Sequence, residues 1–232
     1  MAGRSNHAEL GALATEISHC RACPRLVEWR ESVAADPPKR FRGDDYWARP
    51  VPGFGDPGAA IAVVGLAPAA NGANRTGRMF TGDRSGDWLY AAMFRAGLAN
   101  QPESVSVDDG LELKGAWVTA PVRFAPPDNK PTTAERDRCA PFLERELELL
   151  PGIRAMVALG AFGWNAAIGA LARQGHAVPR PKPKFANGAE ATIGRIALIG
   201  SYHVSQQNTF TGRLTEPMLD AVFARAKDVA GL

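Results

Sequence analysis

The chain has 232 residues, 45% of them apolar, and 27 Lys and Arg against 24 Asp and Glu give a formal net charge of +3. This length favours one well-packed domain, and the mild positive charge permits contact with a nucleic acid without requiring it. No apolar run approaches the roughly 20 residues of a membrane helix, and the polar start lacks the layout of a secretion signal. We therefore expect a soluble, cytoplasmic monomer with no membrane role.

The N-terminal region, residues 1–58, is predicted to hold helices and a long loop. Apolar residues recur at roughly helical spacing over residues 7–30, and Pro24 suits the start of a helix. Residues 35–59 contain many Pro, Gly and charged residues with aromatic residues among them. That composition predicts an ordered loop that is packed by its aromatic side chains.

The remainder, residues 59–232, alternates strands with helices. Short apolar runs predict buried parallel strands at 61–66, 116–122, 155–160 and 195–200. Helices are predicted at 84–98, 133–149, 161–173 and 216–229. Strands that alternate with helices are joined by right-handed crossovers, which place helices on both faces of the sheet. We therefore predict one α/β domain over residues 1–232, with three α/β/α layers and a central, mostly parallel, four-stranded sheet.

One segment, residues 178–192, interrupts this alternation. It contains PRPKPKFANG, in which Pro alternates with basic residues before an Asn-Gly turn signal. The segment is predicted to be an exposed basic loop or a hairpin.

Ligands of such a sheet bind outside the carboxyl ends of its strands. Three polar segments follow predicted strands there: GLAPAANGANRTGRMFTGD, RFAPPDNKP and SYHVSQQNTFTGR. The first segment lacks both the Lys-Ser/Thr ending of a nucleotide P-loop and the spacing of a dinucleotide fingerprint, which argues against nucleotide binding.

These segments resemble, in the same order and at comparable spacing, the motifs of family 5 uracil-DNA glycosylases. The matching stretches are GLAPAANGANRTGRMFTGD, VRFAPPDNKPTTAERDRCAPFLERE and HVSQQNTFTGRLT, with CRACPRL before them. The resemblance implies a repair enzyme that flips a deaminated base out of duplex DNA and hydrolyses its N-glycosidic bond. It implies uracil, hypoxanthine, xanthine and ethenocytosine as substrates. A nucleic-acid binding protein without the chemistry and a nucleoside hydrolase are the alternatives.

Cleavage of an N-glycosidic bond builds positive charge on the sugar and negative charge on the leaving base. His203 is the candidate hydrogen-bond donor to the base. Asn129 can present a donor and an acceptor to a base edge or help to hold the water, unless it is an ordinary turn residue. Asp83 is expected to orient the water or to stabilise the cationic sugar, and the alternative is that it caps a helix.

The base itself is expected to stack on Phe80, beside Gly65, Leu66 and Ala67. Related families carry an acid or an amide near the positions of Leu66 and Ala67, so backbone groups of residues 66–69 are expected to share the work. Ala120 stands where family 4 enzymes read uracil with an Asn, which predicts a permissive pocket.

Six basic residues in or beside the motifs are expected to contact phosphates that flank the flipped nucleotide: Arg75, Arg78, Arg84, Arg123, Lys130 and Arg213. The gap that the base leaves in the helix needs a wedge residue. The third motif offers Gln207, Asn208, Phe210 and Leu214.

The three cysteines, Cys20, Cys23 and Cys139, are either metal ligands or buried thiols, because disulfides are rare in a reducing compartment. The C-x-x-C spacing of the first pair suits an iron-sulfur cluster. The family resemblance implies a [4Fe-4S] cluster on four cysteines, of which the last two have fourteen residues between them; here Phe124 takes the fourth position. A three-cysteine cluster, a cluster with an outside ligand and a lost cluster all stay open. Because the other three ligands persist, we expect a cluster, and a redox motif on Cys20 and Cys23 is the alternative.

Overall fold

The structure is a computed structural model that describes residues 2–232, with side chains from residue 6 onward. Its helices are α1 Ala2–His19, α2 Pro24–Ala35, α3 Ala73–Thr76, α4 Arg84–Arg95, α5 Thr133–Leu149, α6 Gly160–Arg173, α7 Gln206–Phe210 and α8 Glu216–Ala230. Its strands are β1 Phe54–Gly55, β2 Ile61–Val64, β3 Ala116–Thr119, β4 Ala155–Leu159, β5 Glu190–Ile193 and β6 Ile196–Ser201. No helix in this part of the chain is both long and apolar enough to cross a membrane.

The strands form one sheet of six, in the order β1-β3-β2-β4-β6-β5. The four central strands are parallel and are the four that the sequence predicts, whereas β1 and β5 pair antiparallel at the two edges. The prediction of a four-stranded sheet is therefore wrong in number, although the mostly parallel α/β class is confirmed. Both edge strands lack an apolar run, since β1 has two residues and β5 is largely exposed.

Helices cover both faces of the sheet because the side chains of each strand alternate between them. Ile61 and Val63 of β2 join an apolar cluster with residues of α4 and α8. Ala62 and Val64 join a second cluster with residues of α5 and α6. The three predicted layers are thus present, and the carboxyl ends of β2, β3, β4 and β6 meet at one edge of the sheet.

Helix boundaries follow local chemistry. The helical spacing over residues 7–30 is divided between α1 and α2, and Pro24 starts α2 as predicted. Helix α5 begins at a capping box, in which Thr132 Oγ1 accepts from the Glu135 backbone N–H and the Glu135 carboxylate accepts from the Thr132 N–H. Asp83 caps α4 in a similar way.

A buried ion pair ties the connection after β3 to α5. The Glu146 carboxylate accepts from both terminal nitrogens of Arg123, at 3.0 and 2.6 Å, and from Thr119 Oγ1 at 2.6 Å. It also accepts from the Gly53 backbone N–H at 3.0 Å. Arg123 is fully buried, so the prediction that it contacts DNA phosphates is wrong.

Candidate active site

A cavity of about 590 Å³ opens at the carboxyl edge of the sheet. Its walls come from the segments after β2, β3 and β6 and from the start of α4. Among the predicted catalytic and base-binding residues, the structure places six in its lining: Leu66, Ala67, Phe80, Asp83, Asn129 and His203. The three motifs, which are far apart in the sequence, therefore meet around one space.

Phe80 is held in a strained backbone conformation beside this cavity. Its φ is +53°, in the left-handed region that non-glycine residues rarely adopt. A Cβ at Gly86 would lie 1.9 Å from the Phe80 carbonyl oxygen, and a Cβ at Gly65 would lie 2.7 Å from Cζ of its ring. The Phe80 ring therefore packs directly against Gly65, where a side chain would clash with it. Gly65 itself is not among the described residues that line the cavity.

His203 follows β6 and faces the same space as Phe80, with 6.1 Å between the two ring centroids. The Asn208 side chain donates to the His203 carbonyl oxygen at 2.8 Å and so fixes its backbone. The Nε2 atom of His203 is shielded from solvent and has no hydrogen-bond partner in the described chain. Burial lowers the pKa of His203 to about 4, so the ring is neutral at pH 7 and carries one N–H donor.

Asp83 caps α4 and lines the cavity at once. Its Oδ1 accepts from the backbone N–H groups of Ser85 and Gly86, at 2.8 and 3.1 Å. A Cβ at Gly72 would lie 1.9 Å from Oδ2, so only glycine leaves room for this oxygen. Burial raises the pKa of Asp83, and the two backbone donors oppose that shift. The capping alternative is confirmed, and Oδ2 remains available to hold a water.

Asn129 lies in a tight turn after β3. Asp128 and Asn129 have φ values of +54° and +55°, a conformation that Asp and Asn tolerate better than most residues. The side chains of both are exposed and line the cavity. Asp128 is a second carboxylate at the cavity that the sequence analysis does not predict. Its position next to Asn129 in the same turn could have indicated it.

Three of the predicted DNA-contacting cations lie exposed at this edge. Arg84 and Lys130 line the cavity, and the Arg213 guanidinium lies over the Tyr202 ring at 4.6 Å. Of the other three predicted contacts, Arg123 is buried, and Arg75 and Arg78 form hydrogen bonds and ion pairs within the chain.

Arg78 is buried and pairs with Asp109 at 2.7 Å. Arg75 pairs with Asp44, donates to the carbonyl oxygens of Asn71 and Gly82, and lies over an aromatic ring. The buried Arg78 guanidinium cannot reach a phosphate, so the prediction of DNA contact is wrong for Arg78. For the partly exposed Arg75 it stays a prediction.

The candidates for the wedge residue are reduced from four to two. Leu214 is fully buried and Asn208 is held by its bond to His203. Phe210 is 66% exposed and Gln207 is also exposed. The Arg84 guanidinium lies over the Phe210 ring at 5.5 Å, which places this aromatic side chain beside the mouth of the cavity.

The cysteines lie away from the cavity, in a small apolar cluster. Cys23, Cys139 and Phe124 are buried together, and Cys20 packs against them. Burial raises the pKa of Cys139 to about 11 and also raises the pKa of Cys23. Within the described residues, no group of three His, Cys, Asp or Glu side chains is arranged to hold a metal ion. The residues present therefore do not fit a cluster held by four thiolates.

Comparisons with known proteins identify the family of the chain. The family model described as the uracil DNA glycosylase superfamily matches residues 52–227. The chain belongs to this superfamily.

Individual relatives narrow the assignment. The chain is 54% identical to a type-5 uracil-DNA glycosylase of Mycobacterium bovis over 232 residues, which cover 99% of this chain and 84% of the relative. It is 50% identical to the type-5 enzyme of Thermus thermophilus, over 95% of this chain and 98% of the relative. A type-4 enzyme of Pyrobaculum aerophilum is 27% identical over 81% of this chain and 78% of the relative. Within the superfamily, the chain belongs to the type-5 family.

Proposed function

We propose that the protein is a DNA repair glycosylase that hydrolyses the N-glycosidic bond of uracil in DNA and leaves an abasic site. One observation carries this proposal: the Phe80 ring, the neutral His203 imidazole and the Asp83 carboxylate line the same cavity. The cavity that the structure describes is formed within one chain, and we propose that the protein acts as a monomer.

Each side chain has a chemical task in the reaction. The flipped base stacks on Phe80, and the N–H of neutral His203 donates to a carbonyl oxygen of the base, where negative charge develops. Asp83 Oδ2 holds the water that attacks C1′ of the sugar and accepts its proton. The C–N bond breaks as the C–O bond forms, and its electron pair leaves with the base.

We propose a broad choice of base, including hypoxanthine and xanthine. The position of the uracil-reading amide in family 4 is Ala120 here, which is buried and offers no polar side-chain atom. The large rejection factors of base-specific sites come from buried polar groups that the wrong base leaves unpaired. A site that lacks such a group discriminates less between bases.

The test is cleavage of labelled duplexes that carry a single uracil, hypoxanthine or xanthine, with an undamaged duplex and free deoxyuridine as comparisons. Alkali then breaks the strand at each abasic site. Cleavage confined to the modified duplexes supports the proposal. Release of uracil from the free nucleoside at a similar rate would indicate a nucleoside hydrolase, and binding without release would indicate a DNA-binding protein.

Gly72 gives a prediction about the position of the carboxylate. In Gly72→Ala the new Cβ overlaps Asp83 Oδ2, so the carboxylate must leave its present position. We expect the single-turnover rate on uracil DNA to fall by about a hundredfold, because misplacement of a reacting group by about 1 Å costs that much. The Kd for undamaged duplex is expected to stay unchanged.

The matched control is Gly11→Ala in α1, where a Cβ would meet no atom within 4 Å. It is expected to cleave at the wild-type rate. A Gly72→Ala protein that is folded by circular dichroism and also cleaves at the wild-type rate would show that Asp83 does not position the water.

A further inference from the structure

The basic segment between α6 and β5 has no role in the reaction described above. Its three cations are Arg180, Lys182 and Lys184, each next to a proline, and all three side chains are exposed. In the described chain none of them has a carboxylate within salt-bridge distance, whereas Arg173, just before this segment, pairs with Glu144. The segment therefore presents uncompensated positive charge.

Aromatic packing fixes this segment to the body of the protein. Trp164 Nε1 donates to the Pro183 carbonyl oxygen at 3.0 Å. The Phe185 ring lies edge-on between the rings of Trp164 and Tyr202, at centroid distances of 6.1 and 6.3 Å. Proline also restricts the backbone of the segment. The backbone that carries the cations thus has little freedom to lose when they bind a ligand.

The same contacts place the segment at the carboxyl edge of the sheet. The Asn187 side chain accepts from the Tyr202 backbone N–H at 2.9 Å, and the Gly188 N–H donates to the Gly200 carbonyl oxygen at 2.7 Å. Tyr202 directly precedes His203, and the Arg213 guanidinium lies over the Tyr202 ring. The end of the basic segment, from Phe185 to Gly188, therefore lies at the same edge as the exposed cations of the cavity mouth, and Lys182 lines a neighbouring groove between α5 and α6.

We propose that Arg180, Lys182 and Lys184 bind the phosphodiester backbone of DNA beside the lesion, as a second contact outside the cavity. The proposal rests on the proposed function, since a DNA that enters the cavity must pass along this edge. A duplex carries one negative charge per about 1.7 Å of its axis, so three fixed cations meet several phosphates. The contact is independent of base sequence and supplies affinity rather than specificity.

The test measures the Kd for undamaged duplex from 50 to 300 mM salt. Each phosphate contact contributes about 0.9 to the slope of log Kd against log salt, so Arg180→Ala/Lys182→Ala/Lys184→Ala is expected to lower the slope by about 2.7. At 150 mM salt its affinity is expected to fall at least about tenfold.

The matched control removes the same charge from the opposite edge of the sheet. Lys114, Arg154 and Arg195 are exposed and lie at the amino ends of β3, β4 and β6. Lys114→Ala/Arg154→Ala/Arg195→Ala is expected to leave the slope within about 0.5 of wild type. Equal slopes for the two triple variants, or a wild-type slope for the first, would overturn the proposal even if uracil cleavage is intact. Failure of wild-type cleavage would instead overturn the proposed function.

A separate observation concerns Phe124, which stands at the fourth cysteine position that the family resemblance implies. Its ring is 1% exposed and packs with Cys23 and Cys139. The Arg30 guanidinium lies over this ring at 4.9 Å. Two of the Arg30 nitrogens, Nε and Nη1, are buried and have no hydrogen-bond partner in the described residues, while Nη2 lies 3.6 Å from the Glu31 carboxylate. The Phe124 ring face is therefore a principal contact of this cation.

We also infer that packing of Phe124 and Arg30 takes the structural place of an iron-sulfur cluster, and that this chain folds without one. Purified anaerobically after growth with excess iron, the wild type is expected to contain no stoichiometric iron or sulfide and to show no absorbance near about 400 nm. Phe124→Cys completes the four thiolates and is expected to gain about four irons per chain on reconstitution. Phe124→Leu is the control, since it removes the ring and adds no ligand.

Stoichiometric iron and sulfide in the wild type would overturn this inference. So would a folded Phe124→Cys protein that takes up no more iron than Phe124→Leu, because position 124 would then not be the missing ligand. The iron content of the wild type decides the first point even if a variant does not fold.

Discussion

Replacing His203 with alanine is expected to slow uracil release by about 10²- to 10³-fold, the usual loss when one donor to a developing anion is removed. The Kd for undamaged duplex is expected to stay near the wild-type value, because His203 lies inside the cavity and away from the exposed cations. Single-turnover cleavage and fluorescence anisotropy measure the two quantities separately. His7→Ala removes an exposed histidine and is the control.

The same variant is expected to change how the free energy of unfolding depends on pH. The pKa of His203 in the folded chain is about 4, below its ordinary value of 6.5. As the pH falls from about 6.5 to about 4, the unfolded chain binds a proton that the folded chain does not, so the free energy of unfolding falls. Urea unfolding at pH 7 and pH 5 is expected to show a smaller decline for His203→Ala than for wild type. Equal declines, or cleavage at the wild-type rate, would contradict the neutral donor.

Removal of the Glu146 carboxylate is expected to cost about 3–5 kcal/mol of folding free energy, because Glu146→Ala leaves the Arg123 guanidinium buried without its partner. The Thr119 hydroxyl and the Gly53 N–H lose an acceptor at the same time. Denaturant unfolding followed by circular dichroism measures the change.

Glu148, two residues further along α5, is exposed, so Glu148→Ala is the matched control with an expected effect below about 0.5 kcal/mol. Similar losses for the two variants would show that the buried pair does not stabilise the fold. Because Arg123 starts the segment that leads to Asn129, we also expect cleavage by Glu146→Ala to fall at temperatures where the protein is still folded.

The sequence predicts the four central strands well because each is a short apolar run that is buried on both faces. The residues of β2 are all buried, as its pattern requires. Strand β5 has no such pattern, since it pairs only with β6 and shows most of its surface to solvent. Its existence depends on that pairing, which local composition does not encode.

The residues that meet at the cavity could be predicted because three unlike segments each follow a strand of a parallel sheet. Which basic residues are exposed could be predicted only in part. Arg78 and Arg213 have the same side chain and both lie in motifs, yet one is buried against Asp109 and the other is exposed. The partner of Arg78 is 31 residues away in the sequence, so its burial depends on tertiary contacts that a local motif does not contain.

The packing of Gly65 and Gly86 against Phe80 restricts how these three positions can evolve. The Phe80 ring requires the absence of a side chain at Gly65, and the Phe80 backbone requires the same at Gly86. A lineage that replaced Gly86 would have to move the Phe80 backbone, and a lineage that replaced Gly65 would have to move the Phe80 ring. A lineage that replaced Phe80 by a small residue would release the constraint on Gly65. We therefore expect positions 65, 80 and 86 to change together among descendants of this sequence, as one inherited unit that selection keeps or discards whole.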